Sequence, residues 1–385
     1  MNKKDKTYQG FEQGPIRPPS EASSLLIRVS RNCPWNKCTF CGTYNNTTFS
    51  VRSVEDVIKD IDSVYKHVEI LKSIADLAGR ISQADLRNAL NDVEQGEQDA
   101  FYAAVNWYAC GMESVFLQDA NSLIVKPANL IEILLKIRKC FPWVTRITSY
   151  ARSHTIARIK DNDLKSIRKA GLNRIHIGLE SGSDLVLSMV KKGVDKETHI
   201  KAGLKVKKAG MELSEYVIPG LGGREYSKIH ILETADAINR INPDFIRLRP
   251  LAIPGNIELY NDYKSGRFEK CTDIMVAKEI LLFIENLNGI TSVLKSDHIL
   301  NLFDNLEGKF PDDKKKLLAI LQSFLAMDQQ DQCYYLIGRR MGLFCRLDDM
   351  DNQKKMNSVK QICANNSITP DNVNQIVDEA MQRFI

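Results

Sequence analysis

Two stretches of this chain end alike, Lys169-Ala170-Gly171 and Lys208-Ala209-Gly210, 39 residues apart. In each, a run with helical spacing stops at a glycine, which can take the left-handed conformation that closes a helix. In each, an apolar run follows at once. A helix that gives way directly to a strand, twice over, leaves few folds open. Tandem strand–helix units favour a parallel sheet covered by helices. The same rhythm extends in both directions. Val115-Phe116-Leu117, Val144 to Tyr150, Ile175 to Leu179, Leu213 to Ile218 and Phe245 to Leu248 read as strands. Helices are expected from Pro127 to a stop at Pro142, and over Asp161–Ala170, Asp195–Ala209 and Glu225–Arg240. Leu25 to Ser30 adds a first strand, for about six in all. The spacing predicts an α/β protein, a partial (β/α)6 TIM-like barrel with a helical insertion after the first strand and a helical C-terminal extension.

Residues 52–108 are too long for one crossover helix, so an extra helical hairpin is expected there, an insertion at about 65–108 broken near Gly79 and Gly96. Residues 310–385 read as helix throughout, with Thr369-Pro370 starting the last one. The expected divisions are a polar leader at 1–22, disordered or draped, a core barrel at 23–255, a barrel-edge segment at 256–309 and the C-terminal helical region at 310–385.

At 385 residues and 43% hydrophobic, the chain can bury a large core. Lys and Arg total 53 against 48 acids, and the resulting +5 is too small to imply a nucleic-acid partner. Clusters such as Lys314-Lys315-Lys316 fit solvated helix faces. Nine scattered cysteines, an odd number, are no secreted disulfide framework. The first 24 residues hold no apolar signal-peptide core, and no stretch reaches the ~20 apolar residues of a membrane span. A cytoplasmic protein without membrane contact is expected, with its thiols reduced.

Three of those thiols stand close together, in Arg31-Asn32-Cys33-Pro34-Trp35-Asn36-Lys37-Cys38-Thr39-Phe40-Cys41-Gly42. Three thiolates within nine residues can hold three corners of an iron–sulfur cube, and no nearby cysteine closes the fourth. A zinc site is the alternative, but three cysteines without a neighbouring histidine make an incomplete tetrahedral set. The loop follows the first strand, which places it at the face where barrel enzymes carry their chemistry. Cys110, Cys140, Cys271, Cys333, Cys345 and Cys363 lack such spacing and read as inert thiols.

With these cysteines, two further segments make the sequence similar to the radical S-adenosylmethionine (radical SAM) superfamily. Gly178-Leu179-Glu180-Ser181-Gly182-Ser183-Asp184, with Lys191-Lys192-Gly193 after it, resembles the fourth-strand segment of one branch. That branch contains oxygen-independent coproporphyrinogen oxidases, methylthiotransferases and the elongator catalytic subunit. Tyr216-Val217-Ile218-Pro219-Gly220-Leu221-Gly222-Gly223 is similar to the branch's fifth-strand motif. The resemblance covers residues 25 to about 255.

The resemblance implies an oxidoreductase-type chemistry. Cys33, Cys38 and Cys41 would ligate a [4Fe-4S] cluster whose open iron binds the amino and carboxylate groups of S-adenosylmethionine. Reductive cleavage would give a 5′-deoxyadenosyl radical that abstracts hydrogen from a substrate. It also implies an electron donor such as a flavodoxin or ferredoxin. Phe40 offers an apolar face to adenine, or simply anchors the loop. Glu180 can accept from a ribose, or be a surface carboxylate. Lys192 matches a position usually held by arginine that meets the methionine carboxylate, and Arg152 is the alternative partner. Gly220 lets backbone approach the cofactor, or makes a tight turn.

The sequence departs from the superfamily's commonest pattern twice. The cysteine spacing is C-x4-C-x2-C rather than C-x3-C-x2-C, and Gln118-Asp119-Ala120-Asn121 replaces the usual glycine-rich segment. Asp119 would then be the contact for the methionine amino group. Beyond the core, Asp297 and His298 follow a possible seventh strand at Ile290–Leu294 and can bind a polar substrate or move a proton, if they are not a helix cap beside a surface histidine. A small-molecule substrate is expected. An electron-transfer protein without radical chemistry, or an enzyme acting on RNA or peptide, are the alternatives.

Overall fold

The computed structural model describes residues 8–381, and these cluster into two compact units woven from discontinuous segments. Residues 1–7 of the expected leader and 382–385 of the C-terminal region lie outside the described residues.

One unit takes the chain up to Pro34, Thr43–His176 and Lys205–Glu212. It opens with β1 (Leu25–Arg28), then β2 (Ser30–Arg31), which pairs antiparallel with β3 (Ser50–Val51). Three helices follow where a hairpin is expected: α1 (Val54–Ile74), α2 (Gln83–Asn91) and α3 (Gln98–Ala109). Gly79 and Gly96, both at positive φ, lie in the two breaks. Ser53 caps α1 by accepting the Asp56 amide, and Val57, Ile61, Val64, Val68 and Leu71 form a buried stripe with a spacing of three and four. That stripe is why α1 packs against α3 and α4 (Pro127–Cys140). Before α4 comes β4 (Ser114–Gln118), and after it β5 (Arg146–Ala151), the short α5 (Ser153–Ile156) and α6 (Asp161–Ala170). β1 pairs parallel with β4, and β4 with β5.

Gly171 closes α6 at φ +122°, and Gly210 has φ +78°. The two matching helix ends are joined by Arg168, whose Nε donates to the Gly210 carbonyl at 2.8 Å. β6 (Arg174–Glu180) begins in this unit. The leader is draped rather than disordered over its described part. Tyr8 donates to Asp60 at 2.7 Å, and the Gln118 side chain bonds both the amide and the carbonyl of Gly14 and the carbonyl of Ile16.

The second unit takes Trp35–Gly42, Ile177–Leu204 and Leu213 onward. Its elements are α7 (Asp184–Met189), α8 (Lys196–Lys208, whose last turn belongs to the first unit), β7 (Glu212–Val217), α9 (Gly223–Ile241), β8 (Phe245–Leu248), α10 (Glu258–Lys264) and α11 (Asp273–Asn286). β7 pairs parallel with β8, and β8 with β9 (Val293–Lys295), the seventh strand anticipated from the sequence. β10 (Gly308–Lys309) then pairs antiparallel with β9. The C-terminal region is helical: α12 (Lys314–Leu325), α13 (Gln329–Arg340), α14 (Gln353–Asn365) and α15 (Val373–Met381). Tyr335 stacks between Phe303 and Phe344, and Phe324 packs against its ring.

The larger sheet has eight strands, mostly parallel, in the order β1-β4-β5-β6-β7-β8-β9-β10. This is the α/β class and the strand–helix order read from the sequence. No helix among the described residues is long and apolar enough to cross a membrane.

Candidate functional site

In the first unit, the chain reaches Cys33 through Asn32, which sits at φ +68°. Asn is among the few residues that tolerate this conformation. Asp119, just past β4, holds it there. The fully buried Asp119 carboxylate accepts from Arg28 Nη2 at 2.7 Å and Nε at 3.0 Å, from the Asn32 amide at 3.1 Å, and from the Tyr44 hydroxyl. Burial, then Asp119, pushes the Tyr44 phenol up, so its proton stays on. A β-carbon on Gly14 would come within 2.8 Å of Asp119 Oδ2, so the strap closes over this carboxylate. Glu12 extends the network to Arg31 at 2.8 Å. Asp119 was expected to meet a methionine amino group. Here its oxygens accept these bonds at the start of the cysteine loop. Arg152, at the N-terminal end of α5, donates its backbone amide to Asn121 Oδ1 at 3.0 Å.

In the second unit, the rest of the loop is fastened to the turn after α7. The Trp35 indole donates to the Lys191 carbonyl at 2.7 Å and lies where a β-carbon on Gly193 would be, 2.2 Å from a ring carbon. The Thr39 amide donates to the Val190 carbonyl at 3.1 Å, and the Thr39 carbonyl accepts from Leu259 at 2.9 Å. The Cys41 amide turns back to the Cys38 carbonyl at 3.2 Å. Phe40 packs on the apolar cluster that includes Val186, Val190, Ile218 and Leu221.

This fastening brings three of the candidate residues together. Lys192 Nζ lies 2.8 Å from Glu180 Oε1 and 5.9 Å from the centre of the Phe40 ring. Glu180 ends β6 at φ +64°, an uncommon conformation for a residue with a side chain. Gly178 makes room for it. A β-carbon there would stand 1.9 Å from Glu180 Oε1 and 3.1 Å from Lys192 Nζ. Gly220, at φ +85°, donates its amide to Glu279 Oε1 at 2.8 Å.

Sequence reasoning missed Glu215. It lies on β7, fully buried, and neither carboxylate oxygen has a hydrogen-bond partner. Desolvation, then the charge of Glu180, raises its pKa well above the carboxylate range, which favours the protonated form. A carboxyl inside an apolar strand is the signal that was available.

Asp297 and His298 do not pair with each other. Asp297 forms a salt bridge with Arg247 of β8, which also donates to Ser214 at 3.1 Å. His298 Nδ1 accepts the Leu300 amide at 3.3 Å, and burial, then Arg249, lowers its pKa to about 4. The ring is therefore neutral near pH 7.

All nine cysteines are thiols. Cys33, Cys38 and Cys41 are each partly exposed, so the donors suit a metal cluster reached from outside. No three His, Cys, Asp or Glu side chains are gathered as a ready-made ion site among the described residues. What fits is the donor chemistry of three reduced thiols close together in sequence.

The Radical SAM superfamily model matches residues 98–236 of this chain, from α3 into α9. That stretch thus matches the radical SAM superfamily, whose members are enzymes that work with a [4Fe-4S] cluster and S-adenosylmethionine. The cysteine loop lies outside the matched span.

Among individual proteins, the chain is similar to the tRNA uridine(34) acetyltransferase of Methanocaldococcus infernus, at 27% identity over 113 residues, 28% of this chain and 21% of that protein. The protein of the same name from Methanocaldococcus jannaschii is 25% identical over 114 residues, 28% of this chain and 20% of its own length. The chain spans about a fifth of the length of these curated relatives. Among solved structures, coproporphyrinogen III oxidase from Escherichia coli shares 15% identity, with 69% of this chain and 52% of that one covered and a TM-score of 0.45.

Proposed function

We propose that this chain carries its [4Fe-4S] cluster on Cys33, Cys38 and Cys41 and binds S-adenosylmethionine with Phe40, Glu180 and Lys192, to act on a small-molecule substrate. When bound and reduced by an external donor, the cluster would pass one electron to the sulfonium, whose carbon–sulfur bond would break to give methionine and a 5′-deoxyadenosyl radical. The observation that carries the reading is the corner at Gly178, where Glu180 and Lys192 share one contact beside Phe40. Glu180 would accept from the ribose hydroxyls. Lys192, already charge-paired, would turn toward the methionine carboxylate as a point charge rather than a bidentate fork. Phe40 would cover the adenine face, and Gly220 would let backbone come close. Arg152 is the second cationic candidate. Asp119 is assigned to holding the loop. His298, neutral near pH 7, would offer a substrate a polar contact rather than a strong base, and Asp297 is engaged separately with Arg247. A flavodoxin or ferredoxin would supply the electron, in the cytoplasm.

A second reading, action on a tRNA, is favoured by what the two curated relatives are named for. The test is anaerobic reconstitution with iron and sulfide, then reduction with S-adenosylmethionine present. About four irons per chain and 5′-deoxyadenosine are expected, and Cys38→Ala should abolish both. Four irons without 5′-deoxyadenosine would leave the electron-transfer alternative standing. 5′-Deoxyadenosine formation stimulated by total tRNA, and not by a metabolite extract, would favour the second reading.

A further inference from the structure

A chain of buried polar groups, none of them among the candidate residues, runs behind the turn that follows β6 and the turn that follows β7. Its centre is Glu279, on α11, with only 3% of its surface exposed. The Glu279 carboxylate accepts from the Gly220 amide at 2.8 Å and from the Ser227 hydroxyl of α9 at 2.6 Å. His230, also on α9 and fully buried, has Nε2 at 3.1 Å from the Ile218 carbonyl and 3.3 Å from Glu279 Oε1. A carbonyl only accepts, so Nε2 carries the ring proton and Nδ1 is the acceptor. The Ser181 hydroxyl, 2.8 Å from Nδ1, must then donate, and its oxygen accepts the Ser183 amide at 3.0 Å. Thr234, one turn along α9, accepts the Gly182 amide at 2.8 Å. There is no space for a side chain here. A β-carbon on Gly182 would lie 2.2 Å from the Glu233 carbonyl oxygen.

Two helices therefore grip two turns. One turn begins at Glu180, held at positive φ, and the other contains Gly220, also at positive φ. Glycine takes positive φ freely, but Glu180 carries a side chain, and a strained backbone of that kind persists where its surroundings over-determine it. A buried carboxylate and a buried imidazole are expensive in a helical layer that leucine would fill more cheaply. Their hydrogen bonds go to the backbone of the two turns and to Ser181, which follows Glu180.

We propose that Glu279 and His230 are positioning residues for S-adenosylmethionine: they fix the Gly220 turn and the Glu180–Ser183 turn as one unit, so that the Glu180 carboxylate and the Gly220 backbone meet the cofactor in register. This rests on the assignment of Glu180 and Gly220 to the cofactor site. The expected signature is a loss of cofactor affinity with the cluster intact.

The test uses the reconstituted holoenzyme, with S-adenosylmethionine binding measured by equilibrium dialysis without reductant and amide exchange measured by mass spectrometry. In Glu279→Ala, the peptide containing Gly220 should exchange about tenfold faster and the affinity for S-adenosylmethionine should fall about tenfold, with iron content unchanged. KM for S-adenosylmethionine should rise while kcat at saturation stays within about twofold. Glu279→Gln keeps an acceptor for the Gly220 amide and should restore most of the affinity. If Glu279→Ala does not fold, Ser227→Ala, which removes one of the two hydrogen bonds, is read the same way and should show a smaller loss. A folded Glu279→Ala or Ser227→Ala protein with wild-type affinity would overturn the proposal, as would a fall in kcat at unchanged KM. Wild-type holoenzyme that binds no S-adenosylmethionine would instead overturn the cofactor assignment beneath it.

Discussion

Asp119 and Glu215 are both buried carboxyl groups at or near strand ends, and they differ in everything else. Asp119, in the first unit, has two guanidinium nitrogens, a backbone amide and a phenol aimed at its oxygens. Glu215, in the second, has no hydrogen-bond partner for either oxygen and favours its protonated form. A saturated buried group does structural work, because its bonds are complete before any ligand arrives. An unsatisfied one costs stability in the resting protein and is retained where something else completes it. By that measure the start of the cysteine loop is scaffold, and Glu215, which feels the charges of Glu180 and Lys192, is where bonding capacity has been left open.

The largest test of this contrast is Asp119→Ala. It strips Arg28 and the Asn32 amide of their acceptor inside the first unit and should cost on the order of 3–5 kcal/mol, read from denaturant melts. A cost near zero would remove the scaffold assignment. Next comes the pH dependence of Glu279, whose pKa is raised from 4.5 to about 7, first by burial. Between those values the folded protein holds a proton that the unfolded chain has released. The associated stability is therefore full below about pH 4.5 and lost as pH rises through about 7, in total on the order of 3 kcal/mol. Glu279→Gln should lack this decline. The difference between the two proteins isolates it from His230, whose pKa is lowered to about 4 and which works against stability only on the acid side. Equal pH slopes would mean that Glu279 is not protonated near neutrality.

Smaller and opposite in sign, Glu215→Leu should raise stability by about 1–2 kcal/mol, since it replaces an unsatisfied carboxyl by an apolar side chain of similar size. If the variant is instead destabilised, Glu215 has a partner in solution and the contrast with Asp119 collapses. Gly178→Ala sharpens the comparison most finely. Its methyl group would displace the Glu180 carboxylate, so S-adenosylmethionine affinity should fall about tenfold while the melting temperature changes little. Unchanged affinity would take Glu180 out of the cofactor site.

The strands and helices were legible because they are local. Asp161–Ala170 and Phe245–Leu248 have the same limits in sequence and structure, since a first-turn acid, a closing glycine and a short apolar run each act over a few residues. The three cysteines were legible for the same reason. What could not be read was who partners whom. Arg28 and Asp119 are 91 residues apart, and Gly220 and Glu279 are 59 apart. Asp119 alone looks like any strand-end carboxylate, and only the converging donors show that it is already engaged. Likewise Asp297 and His298 are neighbours in sequence, yet their hydrogen bonds and ion pairs lead to different parts of the second unit.

The seat of Trp35 against Gly193 has one more consequence. The chain has three tryptophans. Trp107 and Trp143 both lie edge-on to Phe141 in the first unit, far along the chain from Cys33, Cys38 and Cys41. Trp35 sits two residues after Cys33 and three before Cys38. Its indole is thus a native optical gauge of the loop. Iron–sulfur assembly beside it should dim its fluorescence, so that loading can be followed in the unlabelled protein.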